Sequence, residues 1–119
     1  MIDQWVQGYL KAWASDDPRD VAALFAEDAR YYTEPYAEPW EGRDEIVRQW
    51  IDRGDSATEW SFEYDVVAVD GATSVVRGVT HYSNEPGGGG PKTYHNLWIV
   101  RLATDGTARE FTEWWMAAD

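Results

Sequence analysis

Two Glu-Pro steps, Glu34-Pro35 and Glu38-Pro39, sit inside the run ARYYTEPYAEPWEGRDEI (29–46), among Tyr31, Tyr32, Tyr36 and Trp40. A carboxylate pressed against aromatic rings loses solvation. Its neutral form is then favoured, and its pKa climbs toward the range in which a general base can take a proton and return it. Glu34 is therefore a candidate base and Glu38 a second one. Tyr9 offers a phenol that can donate to a developing enolate oxygen. Glu113, in the segment EFTEWW, is a candidate auxiliary acid or base. His81 and His95 are the two histidines of the chain, and two ligands do not make a metal centre. With no cysteine, thiolate ligands, disulfides and a cysteine nucleophile are excluded. No Ser-His-Asp spacing, phosphate loop or dinucleotide fingerprint is present, so neither metal nor cofactor is expected.

The elements that must position these groups follow from periodicity. Trp5, Val6, Tyr9, Leu10 and Trp13 form the stripe of an amphipathic helix over about 2–14. SDDP then ends it and starts a second, short helix, with Asp17 as cap, Pro18 at the first helical position, and Val21, Leu24 and Phe25 on one face. ARYYT has strand composition, while Pro35 and Pro39 prevent ladder pairing, so 34–41 is expected as loop. Ile46, Val47, Trp50 and Ile51 predict a third helix that stops at Gly54. From Thr58 the period changes to two. Strands are expected from there through Val66, then over 73–84, 92–103 and 107–117, with a mobile glycine tip at 87–90. Helices followed by an antiparallel meander describe an α+β domain over 1–119, the helices covering one face of a curved sheet.

Folding 73–84 onto 92–103 about the glycine tip puts His81 opposite His95, Thr80 opposite Asn96 and Gly78 opposite Trp98. A two-residue Asp105-Gly106 turn then sets Phe111, Glu113 and Trp115 beside Val100, Trp98 and Asn96. One face thus collects Thr80, Tyr82, Tyr94, Asn96, Trp98, Phe111, Glu113 and Trp115. The other collects Val79, His81, His95, Leu97, Ile99 and Arg101. A three-residue loop with a bulge would send Glu113 to the opposite side.

Composition narrows the partners. Twenty-two acidic against 10 basic side chains, a net charge of −12, repel nucleic acid and anionic membrane surfaces. No apolar run is long enough to span a bilayer and the N-terminus lacks a signal-peptide layout, so a cytoplasmic protein is expected. The 8 Trp, 7 Tyr and 3 Phe exceed what a small core needs. Some of them should line a pocket that is apolar yet able to orient a ligand. The expected lining comprises Trp13, Tyr32, Tyr36, Trp40 and Trp60, with Tyr82, Tyr94, Asn96, Trp98, Phe111 and Trp115 from the later strands.

VAALFAEDA (21–29), the Glu-Pro loop ending in WEGRDEI (40–46) and WIVRLATDGTAREFTEWW (98–115) resemble the nuclear transport factor 2-like superfamily. This is the cone-shaped fold of SnoaL-like polyketide cyclases and ketosteroid isomerases. The resemblance covers nearly the whole chain and implies specific roles. Tyr9 lies at the spacing of the isomerases' oxyanion-binding tyrosine, and Glu34-Pro35 falls within one residue of their catalytic Asp-Pro. Trp115 matches a pocket tryptophan, while Trp98 stands where those enzymes carry a protonated aspartic acid. It also implies a homodimer through the outer sheet face that carries His81 and His95. The expected function is cofactor-free isomerisation or cyclisation of a small apolar carbonyl compound. The alternative is a non-catalytic binding module or structural dimer whose rings fill the cone.

Overall fold

The structure is a computed structural model and describes residues 1–53, 59–83 and 90–118. The expected helix stop at Gly54, the strand start at Thr58 and the tip at 87–89 lie outside them.

Helix α1 (Ile2–Ser15) buries Ile2, Trp5, Val6, Tyr9 and Ala12. Asp16 closes it in the left-handed conformation (φ 51°), its N–H returning to the Ala12 carbonyl. The Asp17 carboxylate then accepts from the Arg19 N–H and Pro18 opens α2 (Pro18–Ala22), as SDDP predicts. The second helix is shorter than expected. Leu24 and Phe25 leave it because the Leu24 carbonyl accepts from the Ala108 N–H and Phe25 begins strand β1 (Phe25–Tyr32). Chain 34–41 is mostly loop, ending in the two-residue strand β2 (Trp40–Glu41), which pairs with β1. Helix α3 (Arg43–Arg53) has Asp44 and Glu45 in its first turn and Arg53 in its last, matching the helix dipole at both ends.

Strands β3 (Trp60–Asp70), β4 (Thr73–Tyr82), β5 (Lys92–Leu102) and β6 (Ala108–Ala117) complete one six-stranded sheet in the order β2-β1-β6-β5-β4-β3. The meander is antiparallel as expected, but β1 runs parallel to β6, so the sheet is mixed.

One register and one loop differ from expectation in ways that leave the faces intact. In β4–β5, Gly78 pairs with Asn96, Val76 with Trp98, and His81 with Thr93, a displacement of two residues. The histidines are therefore not partners: His95 faces Val79, and His81 Nδ1 lies 3.0 Å from Thr93 Oγ1. The space over Gly78 belongs to Phe62 on β3, whose ring a Cβ would meet at 2.3 Å, and Phe62 itself stacks on Trp98 at 4.9 Å. The β5–β6 loop is longer than two residues. Ala103 donates to Thr107 across it, with Gly106 at φ 89°. A bulge at Arg109, between the pairs Leu102–Ala108 and Arg101–Glu110, then restores Trp98 opposite Glu113 and Asn96 opposite Trp115. Loop and bulge cancel, so a longer loop with a bulge leaves Glu113 on the inner face and does not send it to the opposite side, the outcome expected of such a loop.

The core lies between α1, α3 and the concave sheet face, with Val6, Val21, Phe25, Ile46, Val76, Trp98, Val100 and Phe111 fully buried. Trp5 ties helix to sheet, its indole N–H donating to the Leu24 carbonyl at 2.9 Å.

Candidate functional site

Beyond this core a cavity of about 410 Å³ remains between the C-terminal ends of α1 and α3 and the outer half of β4–β6. That volume falls in the usual range for small-molecule sites, about 300–1,000 Å³. Tyr9, Trp13 and Asp16 come from the end of α1, and Trp50 and Arg53 from α3. Tyr31, Thr33 and Trp40 come from around β1 and β2, and Thr80, Tyr82, Tyr94, Asn96, Trp98, Glu113 and Trp115 from the sheet.

Glu113 is the carboxylate at its centre. Asn96 Nδ2 and Trp98 Nε1 donate to Glu113 Oε2 at 3.1 and 3.0 Å, and Thr80 Oγ1 donates to Asn96 Oδ1 at 2.8 Å. Both bonds to the carboxyl end on Oε2, so Oε1 is the oxygen left to the cavity, into which the half-buried side chain keeps its remaining exposure. Burial among the rings raises the Glu113 pKa to about 7, against the opposing pull of the two N–H donors. Loss of solvation outweighs two hydrogen bonds here, and among the described residues no cation forms an ion pair with the carboxylate.

Tyr9 is buried, with its hydroxyl 2.9 Å from that of Tyr31. Burial first, then the negative charges that Tyr31 and Glu113 would present to it, raise its pKa well above the ordinary phenol value. Tyr9 therefore remains a neutral donor at any physiological pH. A run of stacked rings supports the pair: Trp40 on Tyr31 at 4.7 Å, Tyr31 on Phe111 at 4.7 Å and Tyr9 on Phe111 at 5.5 Å. At the rim Arg53 lies over the Trp40 ring, 5.1 Å from its centroid.

The structure brings Tyr9, Glu113, Trp13, Trp40, Tyr82, Tyr94, Asn96, Trp98 and Trp115 to one cavity. It does not bring Glu34 there. Side chains alternate along β1, so Tyr31 and Thr33 point inward. Glu34 is exposed beside the outer sheet face, in a groove with Pro35, Val79, His95, Leu97, Trp114 and Met116. The rings expected to desolvate it do not: Tyr36 is fully exposed at φ 67° and Glu38 is exposed as well. Tyr32, by the same alternation, is not in the cavity wall. Phe111 is buried behind Tyr9 and Tyr31, and Trp60 stacks behind Trp13 at 4.0 Å. Asp16, Tyr31, Thr33, Trp50, Arg53 and Thr80 were not anticipated as lining. Alternation on β1 would have selected Tyr31 over Tyr32, and the α3 stripe already contained Trp50. Among the described residues no group of three or more His, Asp or Glu side chains could hold a metal ion, and no helix is long and apolar enough to cross a membrane.

The SnoaL-like domain family matches residues 6–111. This chain belongs to that family. Solved structures agree on the fold. A ketosteroid isomerase-like protein from Erwinia carotovora atroseptica SCRI1043 is 21% identical with a TM-score of 0.69, over 98% of this chain and 95% of that one. The epoxide hydrolase/cyclase-like enzyme SalBIII, of pyran ring formation in the polyether salinomycin, is 18% identical with a TM-score of 0.76, over 96% and 89% of the two chains. A protein with a cystatin-like fold from Silicibacter pomeroyi DSS-3 is 19% identical with a TM-score of 0.67, over 94% and 73%. No curated protein matches the sequence.

Proposed function

We propose that this SnoaL-like protein binds a small, largely apolar carbonyl compound in the aromatic cavity and moves a proton on it without a cofactor, as in isomerisation or aldol-type cyclisation. The observation that carries the reading is the meeting of Glu113, poised at about pH 7, with the neutral Tyr9 phenol and its Tyr31 hydroxyl partner in one cavity. Glu113 takes the role that the sequence suggested for Glu34. As the carboxylate, its Oε1 accepts the proton from the carbon next to the carbonyl, and as the acid it returns that proton to a second position. The enolate oxygen formed between the two steps is met by the phenol of Tyr9, which its neighbour Tyr31 holds in place. Trp13, Trp40, Trp50 and Trp115 supply flat apolar walls that exclude water and favour a planar intermediate. The ketosteroid isomerase-like and cyclase-like neighbours are compatible with this chemistry.

The outer sheet face is read as the contact of a homodimer. Trp114 and Met116 remain 44% and 70% exposed there, beside Val79 and Leu97, and an exposed apolar sheet face is ordinarily covered.

The functional test uses an aryl ketone with exchangeable α-protons, for example 2-indanone, in D₂O. Saturable quenching of tryptophan fluorescence reports binding, and NMR reports exchange. Wild-type protein is expected to accelerate exchange with a rate that rises through about pH 7, and Glu113→Gln is expected to lower it by about 10²–10⁴-fold while still binding. Equal exchange by both proteins would remove Glu113 from the chemistry. Binding with no acceleration by either would leave a binding module.

A further inference from the structure

We propose that Thr80 is a positioning residue: through the Asn96 amide it keeps Glu113 Oε2 occupied by N–H donors, so that Oε1 alone exchanges a proton with a molecule in the cavity. The inference rests on the reading of Glu113 as the proton-carrying group.

The two donors to Oε2 differ in kind. An indole N–H can only donate, so Trp98 presents a donor to the carboxyl in either protonation state. An amide can turn over and present its carbonyl instead, which would accept a hydrogen bond from a protonated Oε2 and stabilise a carboxylic acid facing away from the cavity. What opposes that turn is Thr80. Its hydroxyl, 2.8 Å from Asn96 Oδ1, donates to the amide oxygen and so fixes Nδ2 toward Glu113. Thr80 is itself buried, 2% exposed, on the inner face of β4, and a buried hydroxyl with a single useful acceptor keeps it. The Gly78–Asn96 and Thr80–Tyr94 pairings put the threonine diagonally across from the amide, on the same sheet face. With Oε2 committed to Trp98 and Asn96, the proton of the acid form resides on Oε1, where a ligand can receive it.

Few other groups compete. The titratable groups facing Glu113 are Tyr9 from α1, Tyr31 from β1, Tyr82 from β4 and Tyr94 from β5, with Asp16 and Arg53 at the rim. Tyr9 stays neutral throughout the range in which Glu113 titrates, because burial raises its pKa. Neither rim charge forms an ion pair with Glu113 among the described residues.

The test needs no substrate. Glutamate labelled with ¹³C at the side-chain carboxyl is followed by NMR from pH 4 to pH 9, with the Glu113 resonance assigned by its loss in Glu113→Gln. Thr80→Val removes the hydroxyl at nearly constant volume and should raise the Glu113 midpoint by about one pH unit, as the carboxylate loses a dependable donor. Thr80→Ser keeps the hydroxyl and should return the midpoint to the wild-type value. Should Thr80→Val fail to fold, Thr80→Ala carries the same expectation. An unchanged midpoint on removing the hydroxyl, or an equal rise in Thr80→Ser, overturns the role given to Thr80. If instead the wild-type Glu113 resonance titrates as an ordinary surface carboxylate, the reading of Glu113 falls first, and the two failures are thereby distinguished.

Discussion

Glu113→Gln should stabilise the folded protein at alkaline pH and leave it nearly unchanged at acidic pH. In the fold the Glu113 carboxyl titrates at about 7 against a reference of 4.5, so the folded state holds its proton more tightly than the unfolded chain. The folded protein binds the extra proton between these two values, and stability therefore falls as pH rises from 4.5 to about 7 and then levels off. A displacement of that size corresponds to about 3 kcal/mol at most, with water in the cavity reducing it. Glutamine has nearly the same shape and keeps an acceptor oxygen for the Asn96 and Trp98 N–H groups. Its NH₂ would occupy the Oε1 position facing the cavity, and it carries no charge to desolvate. Urea denaturation followed by far-UV circular dichroism at pH 5, 6, 7 and 8 measures the difference between the two proteins directly. Expected is an advantage for Gln that is small at pH 5 and grows to between about 1 and 3 kcal/mol at pH 8, or roughly 5–10 °C in melting temperature for a domain of this size. An offset that is the same at pH 5 and pH 8 would refute the claim that burial, rather than packing, governs this carboxyl.

Gly78→Ala should cost about 1–3 kcal/mol, read as a lower urea midpoint, because the new Cβ would lie 2.3 Å from Phe62 Cζ and displace a ring that stacks on Trp98. Tyr9→Phe should lower stability by only about 1 kcal/mol, the net worth of one hydrogen bond, yet slow ketone proton exchange by about 10²–10³-fold, with both effects read on the same preparation. Trp114→Lys should shift the protein toward monomer in sedimentation velocity without changing ligand quenching, since Trp114 lies on the outer face and not in the cavity wall.

The element order and the inward face of β4–β6 were legible in the sequence because alternation survives errors of two. The β4–β5 register is displaced by two residues, and Thr80, Asn96 and Trp98 still share a face. The β5–β6 loop is longer than the expected turn, and a bulge at Arg109 repairs the parity before Glu113 is reached. Neither could be read beforehand: nothing in the chain marks Arg109 as a bulge, and the empty position at Gly78 is filled by Phe62 from β3 and not by the Trp98 ring of the neighbouring strand. The parallel pairing of β1 with β6 is likewise a tertiary outcome, with no local signal to announce it.

Glu34 was misplaced for a different reason. Its neighbours in sequence are aromatic, but adjacency along a strand means opposite faces. Tyr31, on the inward face, stacks with Trp40 and Phe111 and meets the Tyr9 hydroxyl, while Glu34 follows Tyr32 outward. The exchange of roles is also coupled to Trp98. Where the isomerase pattern puts an acid to share the oxyanion, this chain has an indole that cannot accept a hydrogen bond and whose N–H ends on Glu113. On the proposed reading, the residue standing where the isomerases carry that acid thus helps to hold the carboxylate that takes over from the Glu-Pro base. Substituting Trp98 by an acid would therefore not restore the isomerase arrangement. It would place two carboxyls side by side with one donor fewer, and like charges at that distance would drive one of them to stay protonated.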